Sequence, residues 1–273
     1  LKLCSAENFQ YPLLLEEFMQ KMTMEMIRAT KPASSRCRLL SLGQAGYLIQ
    51  TAELLIAVDP YLSDYVGKQA PAFSRILPIP IEPEALHVDM LVLTHDHGDH
   101  LDPETINAYS FKKQTTFVAP RLACAKLREL GIPKEQIHRV DTGEHQSFRG
   151  VDITGVYTIP NEPSVVDTAG YFFQLANGRS LYHTSDTGFS SLLLQCAPHA
   201  EVLLVCINGK WGNLNVHEAV QLATHVKPHT VIPNHWDMME LNSENPHTFK
   251  YFMENQQQGI HIEILNLMDE YTW

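Results

Sequence analysis

An α/β protein with mixed sheets and helices on their outer faces is what this chain of 273 residues predicts. Three observations carry that reading. Short apolar runs of strand length recur through most of the chain, capped helical stretches alternate with them, and hairpin signals join some neighbouring runs.

The elements follow in order. Residues 12–27 read as a helix, because Leu14, Phe18, Met22 and Met26 recur every four positions, joined by Leu15 and Met19. That helix is expected to pack on the body of its own domain, with a lid or an oligomer contact as the alternative. It belongs to an N-terminal helical extension, 1–37, ahead of one large domain, 38–273. Strands are expected at 39–42, 47–50 and 54–58, the last closed by Asp59-Pro60. Residues 63–84 carry Pro71, Pro78, Pro80 and Pro83 and predict a long irregular cover.

A buried strand at 90–93 follows. The next helix, 103–110, has Asp102 as N-cap and Pro103 at N1. A strand at 116–119 leads to a helix at 120–130, stopped by Gly131 with Pro133 just beyond. Strands at 151–158, 171–175 and 180–183 open the second half, and Asn177-Gly178 signals a type I′ hairpin between the last two. A strand at 202–207, a helix at 216–226, a strand at 230–233, a helix at 246–256 and a strand at 260–265 complete the chain.

Composition narrows the function. A hydrophobic fraction of 44% and a charged fraction of 19% are those of a globular protein with a sizeable core. No apolar run approaches the ~20 residues that cross a bilayer, and Glu16 and Glu17 cut Leu13-Leu14-Leu15 short of a secretory core. Membrane partners are therefore not expected. The five cysteines (Cys4, Cys37, Cys124, Cys196 and Cys206) form no CxxC pair, which predicts a reduced, cytoplasmic setting. A net charge of −11 argues against nucleic acid as partner, since a phosphate backbone needs a positive surface. A small anionic substrate needs only a local donor cluster, and a homo-oligomer stays open.

The run Thr94-His95-Asp96-His97-Gly98-Asp99-His100 places three imidazoles and two carboxylates directly after the buried strand at 90–93. Neutral imidazole and carboxylate are nitrogen and oxygen donors suited to zinc, manganese or iron. The spacing sends His95 and His97 to one ion, and Asp99 and His100 to a neighbour. Gly98 is expected to let the loop turn sharply. Two further candidates also sit just past apolar strands, Asp186 in His183-Thr184-Ser185-Asp186 and His235 in Pro233-Asn234-His235. Ligand-type residues at three strand ends are a coherent picture, because a rigid scaffold holds such loops in place.

With these residues in view, the sequence resembles the metallo-β-lactamase superfamily, whose HxHxDH signature is matched by His95, His97, Asp99 and His100. Asp59 matches its first acidic motif, Asp186 its bridging aspartate and His235 its last histidine. Within the superfamily the chain is similar to the L-ascorbate-6-phosphate lactonase-like branch. The stretches 40–46, 94–101, 181–187 and 207–215 carry that likeness, together with Glu218-Ala219 and 232–235.

The resemblance implies an αββα four-layer sandwich with two divalent metal ions, Zn or Mn, at one edge of the strands. His95, His97 and Asp186 would hold the first ion, and Asp99, His100, Asp186 and His235 the second. His97, Asp99 and Asp186 would be the catalytic members. The superfamily's usual third histidine for the first ion is missing from 159–163, and Glu162 is expected as its acidic substitute.

The chemistry implied is hydrolysis by metal-activated water, opening a small and phosphorylated sugar-acid lactone such as L-ascorbate 6-phosphate. Asn208, Lys210 and Asn213 in a Gly-rich loop, with Arg75 in the cover, are the expected anion-binding groups. A metal-dependent phosphodiesterase and a metal-poor relative that binds without turnover are the alternatives.

Overall fold

The computed structural model describes residues 22–160, 167–256 and 259–273. The described residues fold into two seven-stranded sheets, each built almost wholly from one half of the sequence. In the first, the order is β14 (Glu270–Thr272), β1 (Arg38–Gly43), β2 (Gly46–Gln50), β3 (Leu55–Val58), β4 (Met90–Val92), β5 (Thr116–Ala119) and β6 (Ile137–Arg139). In the second it is β13 (His261–Ile262), β12 (Thr230–Asn234), β11 (Val202–Cys206), β10 (Ser180–His183), β9 (Gly170–Leu175), β8 (Val151–Val156) and β7 (His145–Phe148). Both sheets are mixed: β3 to β6 run parallel, as do β10 to β13, and the remaining pairs are antiparallel.

Strand side chains alternate between two faces, and here both faces are covered. Leu39, Ile49, Ile56, Val92 and Val118 of the first sheet meet Ile153, Phe173, Leu181, Leu204 and Ile232 of the second in one interior core. Leu40, Leu48, Ala57, Leu91 and Phe117 point the other way, against α1 (Met24–Ala29), α3 (Pro103–Ala108) and α4 (Arg121–Glu129). Tyr182, Leu203, Val205 and Val231 face α5 (Ser191–Cys196), α6 (Val216–Val226) and α7 (Pro246–Asn255). The result is the αββα sandwich, and burial on both faces explains why the strands read as unbroken apolar runs.

Local signals account for most element ends. Asp102 accepts from the Glu104 amide as N-cap of α3, with Pro103 at N1. Asn215 and Glu218 close a capping box at the start of α6, a device that contributes about 1 kcal/mol. The expected first helix is present only as Met24–Ala29, and residues 12–21 of that expectation lie outside the described residues.

One turn expectation is corrected and another is given its physical reason. The β9–β10 connection is a three-residue loop rather than a type I′ turn, because Gly178 alone takes the left-handed conformation, at φ +83, while Asn177 does not. The Gly178 amide donates to Leu175 O at 2.9 Å, and Leu175 pairs with Arg179, the pattern of a turn followed by a bulge. Gly98 lies in the turn as expected, without a positive φ. A side chain there would stand 2.9 Å from Cδ1 of Tyr65, so close approach of that ring is what requires glycine.

The cover over 63–84 is more ordered than its prolines suggest. It holds the short helix α2 (Tyr65–Gln69) and a 3₁₀ turn, Pro71–Phe73. Its organiser is Arg75, expected above as an anion-binding group, and here that expectation fails. The guanidinium donates to the carbonyls of Leu77, Tyr61, Ser63 and Pro78 at 2.9–3.0 Å and lies 5.3 Å from the Tyr61 ring centroid. With its donors engaged on main-chain oxygens, Arg75 is a clamp that folds the cover. Replacing it with Met should cost about 2–4 kcal/mol, because several part-buried carbonyls lose their donor. Urea unfolding checks this, and parental stability in Arg75→Met would show the clamp dispensable.

Candidate metal centre

The site is built where β4, β10 and β12 end. Parallel pairing of β3 with β4 sets Val58 opposite Val92, so Asp59 and Thr94 become neighbours just beyond. Asp59 is fully buried and accepts three bonds: from the Thr94 amide at 2.8 Å, the Thr94 hydroxyl at 2.6 Å and His100 Nδ1 at 2.8 Å. That last bond fixes the His100 ring and turns Nε2 inward, toward Asp99 and Asp186.

On the facing sheet, parallel β10, β11 and β12 bring Asp186 and His235 to the same edge. His183 accepts from the Ser185 amide and donates to Ala45 O, each at 3.0 Å. It thereby holds the turn that aims Asp186. Gln44, Asp59, Ser185 and His235 all adopt positive φ, from 42° to 61°. Such backbone strain gathers where surrounding structure over-determines a geometry.

Four ligand-type atoms converge. His100 Nε2 lies 3.8 Å from Asp99 Oδ2 and 3.5 Å from Asp186 Oδ1, and His235 Nε2 lies 3.5 Å and 3.4 Å from the same two oxygens. Tetrahedral coordination with bonds of about 2.0–2.2 Å requires ligand separations of roughly 3.3–3.6 Å. Beside this ring, His95 Nε2 and His97 Nδ1 approach to 3.1 Å. Two triads (His95, His100, Asp186 and Asp99, His100, His235) each have ligand atoms within 4.8 Å of one another.

The test of fit is the state of the buried atoms. Among the described residues, neither His100 Nε2 nor Asp186 Oδ1 has a hydrogen-bond partner, although both are shielded from solvent. Buried polar atoms are seldom left so. The donor set therefore suits divalent cations, and none of its members is a cysteine.

Electrostatics set the two buried histidines apart. Burial, reinforced by the neighbouring His100, pushes the His95 imidazole down to about 3, leaving it neutral with a lone pair to give. Burial would also lower His100, but the carboxylates of Asp186, Asp99 and Asp59 outweigh it and hold His100 well above the ordinary histidine value. Burial would raise Asp99 and Asp186, yet the adjacent His100 and His235 imidazoles keep both carboxyls below the usual range.

The expected anion-binding groups fare differently. Asn213 donates to Asp186 Oδ2 at 2.8 Å and orients that carboxylate at the cavity wall. Asn208 is buried behind the wall, where its amide braces Asn242 at 2.7 Å. Lys210 does not line the cavity, and its ammonium donates to Ser243 O at 2.5 Å, tying the loop after β11 to the segment after β12. Asp167 accepts from the Leu122 amide at 2.6 Å, at the start of α4. Glu162 lies outside the described residues.

Gln44 was not singled out from the sequence. Its side-chain amide donates to Asp99 Oδ2 at 2.8 Å and stands 3.2 Å from His235 Nε2, while its backbone carbonyl accepts from the His235 amide. The only sequence signal for it is its position after Gly43 in the β1–β2 turn, a polar residue between two strands buried throughout.

Comparison with known proteins agrees with this architecture. The family described as the Beta-lactamase superfamily domain matches residues 55–236. A UPF0173 metal-dependent hydrolase of Polynucleobacter asymbioticus is 28% identical over 88% of this chain and 87% of its own. A second, from Thermodesulfovibrio yellowstonii, is 26% identical over 82% and 87%. Among solved structures, Igni18, described as a metallo hydrolase from Ignicoccus hospitalis, superposes with a TM-score of 0.71 over 87% of this chain and 98% of its own, at 18% identity.

Two outcomes follow from the geometry. Asp59→Asn replaces a carboxylate that takes three donors and should weaken metal binding about 10–100-fold, as measured by competition with a chromophoric chelator. An unchanged affinity would remove Asp59 from its orienting role. Because the carboxylates favour protonated His100, metal uptake must displace that proton. Apparent affinity should therefore rise with pH, with protons released near neutrality into a weakly buffered indicator solution. Uptake without proton release would contradict the protonated state assigned to His100.

Proposed function

Since this chain belongs to the metallo-β-lactamase superfamily, we propose that it is a metal-dependent hydrolase that delivers water to an acyl centre and opens a small lactone or ester. The observation that carries this reading is the closed ring of Asp99, His100, Asp186 and His235 atoms, 3.4–3.8 Å apart, with the His95–His97 pair beside it. Nitrogen and oxygen donors without sulfur suit zinc or manganese. Divalent cations held there supply an acidified water, its pKa lowered from 15.7 toward about 7, and polarise the oxygen under attack.

The chain's own residues do the rest. His95 and His97, which present neighbouring ring nitrogens, would hold one ion, and Asp99, His100 and His235 would hold the other, with Asp186 placed beside both groups. Asp59 holds the Nδ1 proton of His100, so this imidazole gives only its Nε2 lone pair. Asn213 and Gln44 fix the carboxylates of Asp186 and Asp99 by amide donation. In the net reaction the water oxygen bonds to the carbonyl carbon and the carbon–oxygen bond to the leaving alcohol breaks. The alcohol oxygen takes up a proton, and a lactone yields a single hydroxy-acid. No side chain needs to form a covalent intermediate.

The lactone part of this reading rests on likeness to the lactonase branch. The phosphorylated part is not carried into this reading, because Arg75 and Lys210 donate to carbonyl oxygens and neither lines the cavity.

The test is elemental analysis of protein produced with zinc and manganese both available, followed by a lactone, ester and phosphodiester panel. Near-stoichiometric metal and acyl hydrolysis are expected, and His97→Ala should lose metal and bring turnover to background. Full turnover in His97→Ala would exclude the mechanism. Failure to take up metal on reconstitution would favour a binding protein, and hydrolysis of the phosphodiester alone would replace the acyl centre with phosphorus.

A further inference from the structure

A cavity of about 360 Å³ opens directly over the ligand cluster, with His97, Asp99 and Asp186 on its floor. That volume is at the small end of ligand sites, roughly 300–1,000 Å³, so the substrate it admits is small. Its walls come from separate segments. Val66 and Phe73 descend from the cover, Trp211 from the loop after β11, and Met239 from the loop after β12. Phe73 and Trp211 meet with ring centroids 5.7 Å apart and planes tilted by 54°. Trp211 is 52% exposed and sits at positive φ, 56°. A large aromatic held half in water, in a strained backbone and at the rim of a cavity over a candidate catalytic centre, is placed for contact with a ligand.

Charge is arranged in the opposite sense. Among the described residues lining the cavity, none is Lys or Arg, and the polar members away from the floor are the neutral amides of Asn213 and Asn242. Neither Arg75 nor Lys210 lines the cavity, Arg75 donating to four carbonyls and Lys210 to Ser243 O. An anionic group remote from the metal ions would lose hydration against Phe73, Trp211 and Met239 and gain no counter-charge. An apolar ring in the same place would instead bury area against those walls.

Resting on the hydrolase reading above, we infer that the substrate is an uncharged ester or lactone carrying an apolar ring. Phe73 and Trp211 receive that ring over Val66 and Met239, while the carbonyl faces His97, Asp99 and Asp186. Phe73 and Trp211 are thus the residues that set specificity.

The experiment separates this from the reaction itself by measuring binding. Three hydroxamic acids share one metal-seeking head and differ in the flank: acetohydroxamic acid, phenylacetohydroxamic acid and succinic monohydroxamic acid. Titration calorimetry on the zinc-loaded protein should give at least about tenfold tighter binding for the phenyl compound than for acetohydroxamate, and no gain for the anionic flank. In Trp211→Ala the phenyl advantage should collapse toward one, and in Trp211→Phe most of it should persist. Thermal unfolding of each variant confirms that the fold is intact.

Tightest binding by the succinic compound, or a phenyl advantage untouched in Trp211→Ala, would overturn the inference. A turnover arm then compares kcat/KM for γ-phenyl-γ-butyrolactone and unsubstituted γ-butyrolactone, with the substituted lactone expected to lead. If the phenyl preference is present in binding but no lactone or ester is hydrolysed, the acyl reading falls and the apolar pocket stands. If both lactones turn over equally, the pocket inference falls and the acyl reading stands.

Discussion

Asp59 carries a carboxylate wholly removed from solvent, at the end of a strand buried on both faces. Burying such a group is costly unless donors surround it. Here the donors are the amide and hydroxyl of Thr94 and the Nδ1 proton of His100. Through them one side chain fixes the entry of the histidine loop and the ring face of His100, whose Nε2 both candidate triads share. Parallel pairing of β3 with β4 is what makes this possible, because it sets the two strand ends side by side. The strained φ of Asp59 is tolerated because the sheet and these three bonds hold it from both sides.

The second constraint is the meeting of the two halves. Each sheet alone carries an incomplete donor set, with the histidine loop and Asp59 on one and Asp186 and His235 on the other. The interior core of Leu39, Ile56, Val92, Phe173, Leu204 and Ile232 presses the sheets together, and the ligand ring forms at the shared edge. Gln44 ties the seam, its carbonyl receiving the His235 amide and its side chain reaching Asp99. Around this polar floor the walls turn apolar, and among the described lining residues none is basic, so the cavity favours neutral, ring-bearing ligands.

Much of this was legible in the chain. The run from Thr94 to His100 announces itself because ligation needs several imidazoles and carboxylates within one short loop. Strands β1 to β5 and β8 to β12 were readable from apolar length, and α3 and α4 from their cap and stop signals. The short strands β6, β7 and β14 were not, since three or four residues of mixed polarity, such as Ile-His-Arg or His-Gln-Ser-Phe, gain strand character only from the neighbour they pair with.

Single polar residues were harder still. Arg75 and Lys210 read as anion ligands because a guanidinium or ammonium in a loop has no visible partner in sequence, and their carbonyl partners are known only once the loops are folded. Gln44 was missed for the converse reason, as one amide in a β-turn carries no pattern.

What the sequence determined alone is chemistry that depends on composition at short range: the identity of the donors, the strand that delivers them and the helices that cover the sheets. What only the tertiary structure decided is chemistry that depends on distance between remote segments. Convergence of Asp186 and His235 on His100, the orienting bonds of Asp59 and Gln44, and the engagement of Arg75 and Lys210 on main-chain carbonyls all belong to that second kind. The physical reason is that coordination and hydrogen bonding act over about 2–4 Å, and only packing of the two sheets brings those atoms within reach.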